Sequence, residues 1–217
     1  MKYEWKKHEK NFYTNLKTPT LITVPEQKYI MISGRGNPNG RDFEERVGVL
    51  MSLAYSVKMR HKADCNNSPE YASRFAYGDY AVFPLEGVWT LTGVPAENSP
   101  LDKNDLIYTI MVRQPDFITT DMYETAYAAV KKKKPHSLLN DIKFESVSDG
   151  VCIQTLHIGS FDAEPATFAK MDAYARENGY ERLDCYHREI YLNDARKTTP
   201  DKYQTILRYR VKACEPK

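Results

Sequence analysis

Hydrophobic and polar positions alternate along this chain in two recognisable ways. Lys28-Tyr29-Ile30-Met31-Ile32-Ser33-Gly34 is an apolar run that predicts a strand, and the Gly34-Arg35-Gly36-Asn37-Pro38-Asn39-Gly40 stretch ends it. Over residues 41–59, Phe43, Val47, Leu50, Met51, Ala54 and Tyr55 recur at three- and four-residue spacing, which predicts an amphipathic helix. Residues 64–74 are polar and read as a loop. Strands follow over 80–92 and 106–113. The second alternates poorly, so both of its faces are expected to be covered. The order then recurs. Residues 150–159 read as a strand and 164–178 as a helix, with Pro165 at its start and Gly179 at its stop. Strands over 183–192 and 204–212 complete the second set.

This pattern predicts an α+β fold made of a tandem repeat of two strand–helix–strand–strand modules, with a ligand cleft between them. One domain covers residues 1–217. The first module spans about 20–115, an inserted helix about 118–135, and the second module about 145–213. Thr119 or Thr120 suits the cap of the inserted helix, and the Lys131-Lys132-Lys133-Lys134 run suits its C-terminal dipole. A phosphate or nucleic-acid contact is the other reading of those lysines, and the solvated helix end is preferred. The repeat rests on the order of elements and on one carboxylate in each half, Glu86 and Glu189.

Glu189 is the chemically unusual position. By period two, His187, Glu189 and Tyr191 share one face of a strand, and Tyr186, Arg188, Ile190 and Leu192 share the other. A buried carboxylate without a partner costs several kcal/mol, so such a group is kept for a partner, a ligand or a reaction. The structural alternative is a salt bridge to Arg188, Arg196 or Arg208. Arg188 lies on the opposite face of a regular strand. Glu86, in Pro84-Leu85-Glu86-Gly87, reads equally as a second site carboxylate or as a cap on a bulge. Tyr55, Phe83, Trp89, Phe161 and Tyr191 are candidate cavity aromatics, and each taken singly is also an ordinary core residue. Met111, His157 and His187 complete the candidate ligand-binding set. Two histidines on separate strands, with no third ligand at recognisable spacing, read as hydrogen-bonding residues rather than a metal site. No metal and no cofactor is expected.

Composition changes this picture in three places. Among 217 residues, 31 basic and 29 acidic side chains leave a net charge of only +2, which gives no electrostatic case for nucleic acid or anionic membrane. Tyr outnumbers the other aromatics, 16 against 8 Phe and 2 Trp, and tyrosine lines binding cavities well. Cys65, Cys152, Cys185 and Cys214 are scattered with no C-x-x-C, which predicts reduced thiols and, with a charged N-terminus lacking an apolar core, a cytoplasmic protein. No apolar run approaches the roughly 20 residues a membrane span needs. Gly34-Arg35-Gly36 lacks the third glycine of a dinucleotide fingerprint, and there is no G-x-S-x-G, P-loop or H-E-x-x-H.

Several stretches together resemble the GyrI-like small-molecule-binding family, the effector-binding domain of certain transcription activators, and above all its stand-alone bacterial members. They are Lys2-Tyr3-Glu4-Trp5-Lys6-Lys7, Ser56-Val57-Lys58-Met59, Pro84-Leu85-Glu86-Gly87-Val88-Trp89 and Met111-Val112-Arg113-Gln114-Pro115-Asp116-Phe117. Further along come Gln154-Thr155-Leu156-His157-Ile158-Gly159, Glu164-Pro165-Ala166-Thr167 and His187-Arg188-Glu189-Ile190-Tyr191-Leu192-Asn193-Asp194-Ala195-Arg196-Lys197. His187-Arg188-Glu189 stands where the family has His-His-Glu, and Asn193-Asp194-Ala195 where it has Ser-Asp-Pro. The loop after Trp89 departs more.

The resemblance implies two strand–helix–strand–strand modules with a cleft that takes lipophilic, often aromatic or cationic, compounds against a Glu. One subfamily, which this chain resembles, is a hydrolase opening the strained cyclopropane of DNA-alkylating natural products inside an aromatic cage. By that likeness Glu189 is the first choice for the base, Glu86 the second, and Tyr191 a donor to the developing oxyanion. Binding-only sequestration or sensing, and a gyrase-modulating interaction protein, are the alternatives. About twenty residues precede the first strand, too few for a helix-turn-helix segment.

Overall fold

The computed structural model describes residues 1–91 and 102–214, so Thr92, the last residue of one predicted strand, lies outside them. In chain order the elements are β1 (Lys2–Tyr3), α1 (Trp5–His8), β2 (Thr20–Val24), β3 (Gln27–Arg35), α2 (Arg41–Asn67), α3 (Pro69–Ala72) and β4 (Asp79–Tyr80). Then come β5 (Leu85–Leu91), β6 (Leu106–Gln114), α4 (Thr120–Lys133), β7 (Lys143–Val147), β8 (Gly150–Ile158), α5 (Glu164–Glu177), β9 (Tyr180–Arg182), β10 (His187–Tyr191) and β11 (Gln204–Ala213). The architecture is α+β, with mostly antiparallel pairing. By its internal contacts the chain divides into two compact units. One holds Met1–His8, Gln27–Phe83 and Leu91–Val147; the other holds Glu9–Glu26, Pro84–Thr90 and Ser148–Lys217.

In the first unit, β3 pairs antiparallel with β6 on one side and β7 on the other. The helix α2 lies against β3, β6 and α4. Its buried stripe is Leu50, Leu53, Ala54, Val57 and His61, a three- and four-residue spacing that meets the buried Ile30, Ile32, Ile110 and Val112. Each such aliphatic side chain contributes roughly 1.5–3 kcal/mol on full burial. The loop expected at 64–74 is instead the end of α2 followed by α3. The polar appearance of that stretch comes from an outward Arg60–Asp64 pair at 3.0 Å, while His61 turns inward, only 1% exposed, and bonds the Tyr77 carbonyl at 2.9 Å. The break falls at Ser68 because Pro69 disfavours helical backbone in the residue before it. The Ser68 side chain then accepts from the Tyr71 amide and starts α3. Similarly, α4 begins where the Thr119 hydroxyl accepts from the Met122 amide at 3.3 Å.

The second unit is an antiparallel sheet in the order β2, β8, β11, β10, β5, with β9 pairing the far end of β11. One face carries Ile153, Leu207 and Tyr209, which close a core with Met171 and Ala175 of α5 and with Phe168. Pro165 sits in the first turn of that helix, and Gly179, at φ +75°, takes the left-handed turn after it. The other face holds Leu156, Ile190 and Ile206, with Tyr13 against them. The segment before β2 covers this second face: Gln154 donates to the Asn11 carbonyl and Arg208 to the Phe12 carbonyl, both at 2.7 Å. All four cysteines are free thiols. Among the described residues no helix is long and apolar enough to cross a membrane.

Candidate functional site

The alternation of β10 sorts the acidic residues of the second unit onto opposite sides of its sheet. Glu189 lies across from Gly87 and Ile190 across from Glu86. Side chains of successive strand residues point to opposite faces. His187, Glu189, Tyr191, Gly87 and Trp89 therefore share the face that α5 covers, and Arg188, Ile190 and Glu86 share the other.

On the α5 face, His187 Nε2 donates to Glu189 Oε1 at 3.0 Å. The Tyr191 hydroxyl also bonds Glu189, and Trp89 Nε1 donates to the Tyr191 oxygen at 3.0 Å. Trp89, Tyr191 and Glu189 thus form a chain of donors ending on a carboxylate. Burial first, and then the Glu189 charge and its hydrogen bond, hold the Tyr191 hydroxyl well above its ordinary pKa, with the Trp89 bond opposing. Phe161 meets the Tyr191 ring edge-on at 5.9 Å, and Phe168 meets the His187 ring edge-on at 5.0 Å. No Lys or Arg among the described residues pairs with Glu189.

A second carboxylate completes this face. Glu164, the first residue of α5, is only 6% exposed, and its Oε1 has no hydrogen-bond partner. One oxygen of Glu164, one of Glu189 and a ring nitrogen of His187 all lie within 4.8 Å of one another. Burial, then the Glu189 charge, then Asp162 push the Glu164 carboxyl up to about 9. His157 holds α5 in place from the neighbouring strand. Its Nδ1 bonds the Thr167 hydroxyl at 2.8 Å and its Nε2 the Ser160 carbonyl at 3.0 Å. Gly87 makes room for the two side chains beside Glu189: a Cβ there would stand 2.5 Å from Trp89 Nε1 and 3.2 Å from the Tyr191 hydroxyl.

The opposite face is neutralised. Arg188 bonds Glu86 at 3.0 Å through Nη1 and Asp149 at 2.9 and 2.8 Å through Nε and Nη2. Burial pushes the Glu86 carboxyl up, only partly offset by Arg188 and Arg208. At Asp149 burial again raises the pKa, yet the charge and hydrogen bonds of Arg188, with Arg208 and Arg210, leave it below the ordinary carboxylate range.

The second unit therefore brings together Glu189, Tyr191, Trp89, His187 and Phe161 among the residues read from the sequence, with His157 as a nearby anchor. Glu86 is in the same sheet but on the other face, in an ion pair with Arg188 instead of the local backbone cap considered for it. Tyr55, Phe83 and Met111 belong to the first unit. Tyr55 is 51% exposed on α2, off its buried stripe. Phe83 is buried beneath the Arg113 guanidinium and stacks on Trp5, and Met111 is buried in β6. The sequence reading did not pick out Glu164 or Phe168 as site residues. An acidic residue at the first position of a helix is common because it suits the helix dipole, so Glu164 carries no sequence signal of its own.

Residues 17–212 match the family of GyrI-like small molecule binding domains. No curated protein matches the chain. Among solved structures, an uncharacterized conserved protein from Listeria innocua is 34% identical, with a TM-score of 0.83, and the match covers 97% of this chain and 100% of that one. A hydrolase from Listeria innocua is 32% identical, with a TM-score of 0.80 and the same two coverages, 97% and 100%. Another hydrolase from that species is 32% identical, with a TM-score of 0.81, covering 98% of this chain and 100% of its own.

Proposed function

Because the chain belongs to the family of GyrI-like small molecule binding domains, we propose that the α5 face of its second unit binds lipophilic aromatic or cationic compounds and adds water to an activated cyclopropane. The observation that carries this reading is Glu189: a buried carboxylate with hydrogen-bond donors beside it and no cation to neutralise it. Trp89, Phe161 and Tyr191 supply aromatic surface around it, each good contact contributing roughly 0.5–1.5 kcal/mol beyond area burial. The hydrolase descriptions of two relatives at 32% identity support turnover as a class of activity.

The chemistry asked of the site is modest. In the substrate, the three-membered ring is conjugated to a carbonyl. Glu189 takes a proton from a water about 3 Å away as the water oxygen bonds a ring carbon. The strained carbon–carbon bond breaks, its electron pair moves into the conjugated carbonyl, that oxygen takes a proton from solvent, and Glu189 returns the proton it took to solvent. One water is consumed, and the product is a ring-opened alcohol. Tyr191 and Trp89 fix the carboxylate that does this, and the aromatic side chains orient the ring system. With the same residues, an organic cation that carries no strained ring is bound and released unchanged, which is detoxification by sequestration or sensing.

The test is incubation of purified protein with a cyclopropanoid alkylator, followed by mass spectrometry. The expected result is a water-added, ring-opened product in molar excess over protein, lost in Glu189→Gln. Stoichiometric retention without a hydrated product leaves binding alone. Absence of any saturable binding, in wild type and in Trp89→Ala, removes both readings.

A further inference from the structure

We infer that Glu164, His187 and Glu189 form a binding site for a first-row divalent metal ion, with zinc or cobalt as the best-matched ions. The inference starts from an unsatisfied atom. Glu164 Oε1 is buried and has no hydrogen-bond partner, in a residue 94% removed from solvent. Buried carboxylate oxygens are normally satisfied, and one left bare beside a second carboxylate costs several kcal/mol. No Lys or Arg among the described residues pairs with either glutamate; without an ion Glu164 holds a proton, and with both carboxylates ionised the protein supplies no Lys or Arg to offset them. A divalent cation supplies that charge.

Geometry and donor type narrow the occupant. The three donor atoms lie within 4.8 Å of one another, and the His187–Glu189 pair is already at 3.0 Å. Bonds of about 2.0–2.2 Å to zinc place two ligands at most about 4.4 Å apart across the ion and roughly 3.0–3.4 Å apart when adjacent. From separations of up to 4.8 Å, the widest pair closes by at most about 1.4 Å to become adjacent on a tetrahedral ion, a movement within the reach of glutamate rotamers. One imidazole nitrogen and two carboxylates suit zinc, cobalt, nickel, iron and manganese, whereas calcium and magnesium prefer oxygen alone. Metal binding requires His187 Nε2 to present a lone pair, so its proton moves to Nδ1 while the ring stays neutral. Two carboxylates then cancel the charge of the ion, and the assembly is neutral within the sheet face.

The supporting groups are also in place. Tyr191, held by Trp89, bonds Glu189, and Phe168 packs edge-on against the His187 ring, as second-sphere groups that orient ligands do. Sequence spacing did not reveal the trio because its third member comes from the start of a helix. The His187 side chain is 24% exposed, which leaves one side of the ion open to water or to a ligand. This site shares Glu189 with the proposed hydrolysis, and an ion bound there occupies the carboxylate assigned as base, so its test uses no organic substrate and fails or succeeds separately from that reading.

The experiment is titration of chelator-treated full-length protein with zinc by calorimetry and with cobalt by visible absorption. Saturable binding of one ion per chain is expected, weakened at least tenfold in Glu164→Gln and in His187→Gln. Cys185→Ser, which removes an exposed thiol, should bind as wild type. Circular dichroism establishes that the variants are folded. X-ray absorption of the zinc-loaded wild type gives a reading that needs no variant: a shell of nitrogen and oxygen at about 2.0–2.2 Å is expected. A sulfur shell at about 2.3 Å, unchanged affinity in both glutamine variants, or no binding overturns the site.

Discussion

The two faces of the β10 strand solve the same problem in opposite ways. Both bury carboxylates. On one, Arg188 hydrogen-bonds both Glu86 and Asp149 and leaves a closed ionic cluster. On the other, Glu189 and Glu164 stand without an arginine or lysine, one held by neutral donors and the other with a bare oxygen. Adjacent residues of one strand, 188 and 189, thus belong to different kinds of environment. Burial of charge says little about role by itself. What separates the faces is whether the protein has spent its own counter-charge there.

The comparison breaks most sharply at Arg188. Replacing it with Met leaves Glu86 and Asp149 buried without their cation, and removal of one partner from a buried pair typically costs about 3–5 kcal/mol. Chemical denaturation should show a loss of that size, or no folded protein. Trp89→Phe acts on the other face. It removes the donor to Tyr191 while keeping an aromatic ring, and a stability loss of about 0.5–1.5 kcal/mol is expected. Ligand titration by fluorescence or calorimetry should show weaker binding in the same variant.

In metal-free protein Glu189→Gln should change stability by about 1 kcal/mol or less, because it removes a buried charge that no Lys or Arg among the described residues partners. It should at the same time abolish turnover and weaken binding of cationic ligands at least tenfold. A stability loss as large as that of Arg188→Met would show that the two faces do the same work.

The smallest effect is a slope. The folded-state pKa of Asp149 lies below its unfolded value, so its contribution to stability is fully present above the unfolded pKa and is lost as pH falls through the folded one. Between about pH 5 and pH 2, wild type should therefore lose more stability than Asp149→Asn. Denaturant midpoints measured across that range check the sign.

What could be read from the sequence was local. Period two alone put His187, Glu189 and Tyr191 on one face and Arg188 on the other, and that sorting needs no tertiary information. The helix starts at Thr119 and Pro165 were legible for the same reason: cap chemistry is carried by neighbouring residues. Partners across the sheet were not legible. Glu86 meets Arg188 because of the register that sets Ile190 opposite Glu86, and nothing in either segment states that register. Glu164 reaches Glu189 only because His157 and the core beneath α5 fix where that helix begins. The end of α2 is hard to read because a buried histidine counts as polar, and Tyr55 lies one step on the helix wheel from the buried stripe.

One missing methyl group has a consequence for how this protein changes over generations. Position 87 has no side chain, and any residue other than glycine there would drive a carbon into Trp89 and crowd the Tyr191 hydroxyl. The clash falls on the two side chains that orient Glu189, while Arg188 and its two acids sit untouched on the far side of the strand. Substitution at this position is therefore felt first as a lost ligand, with the ionic cluster still holding the sheet. As long as Trp89 and Tyr191 are needed to orient Glu189, glycine is the one residue that fits at this position.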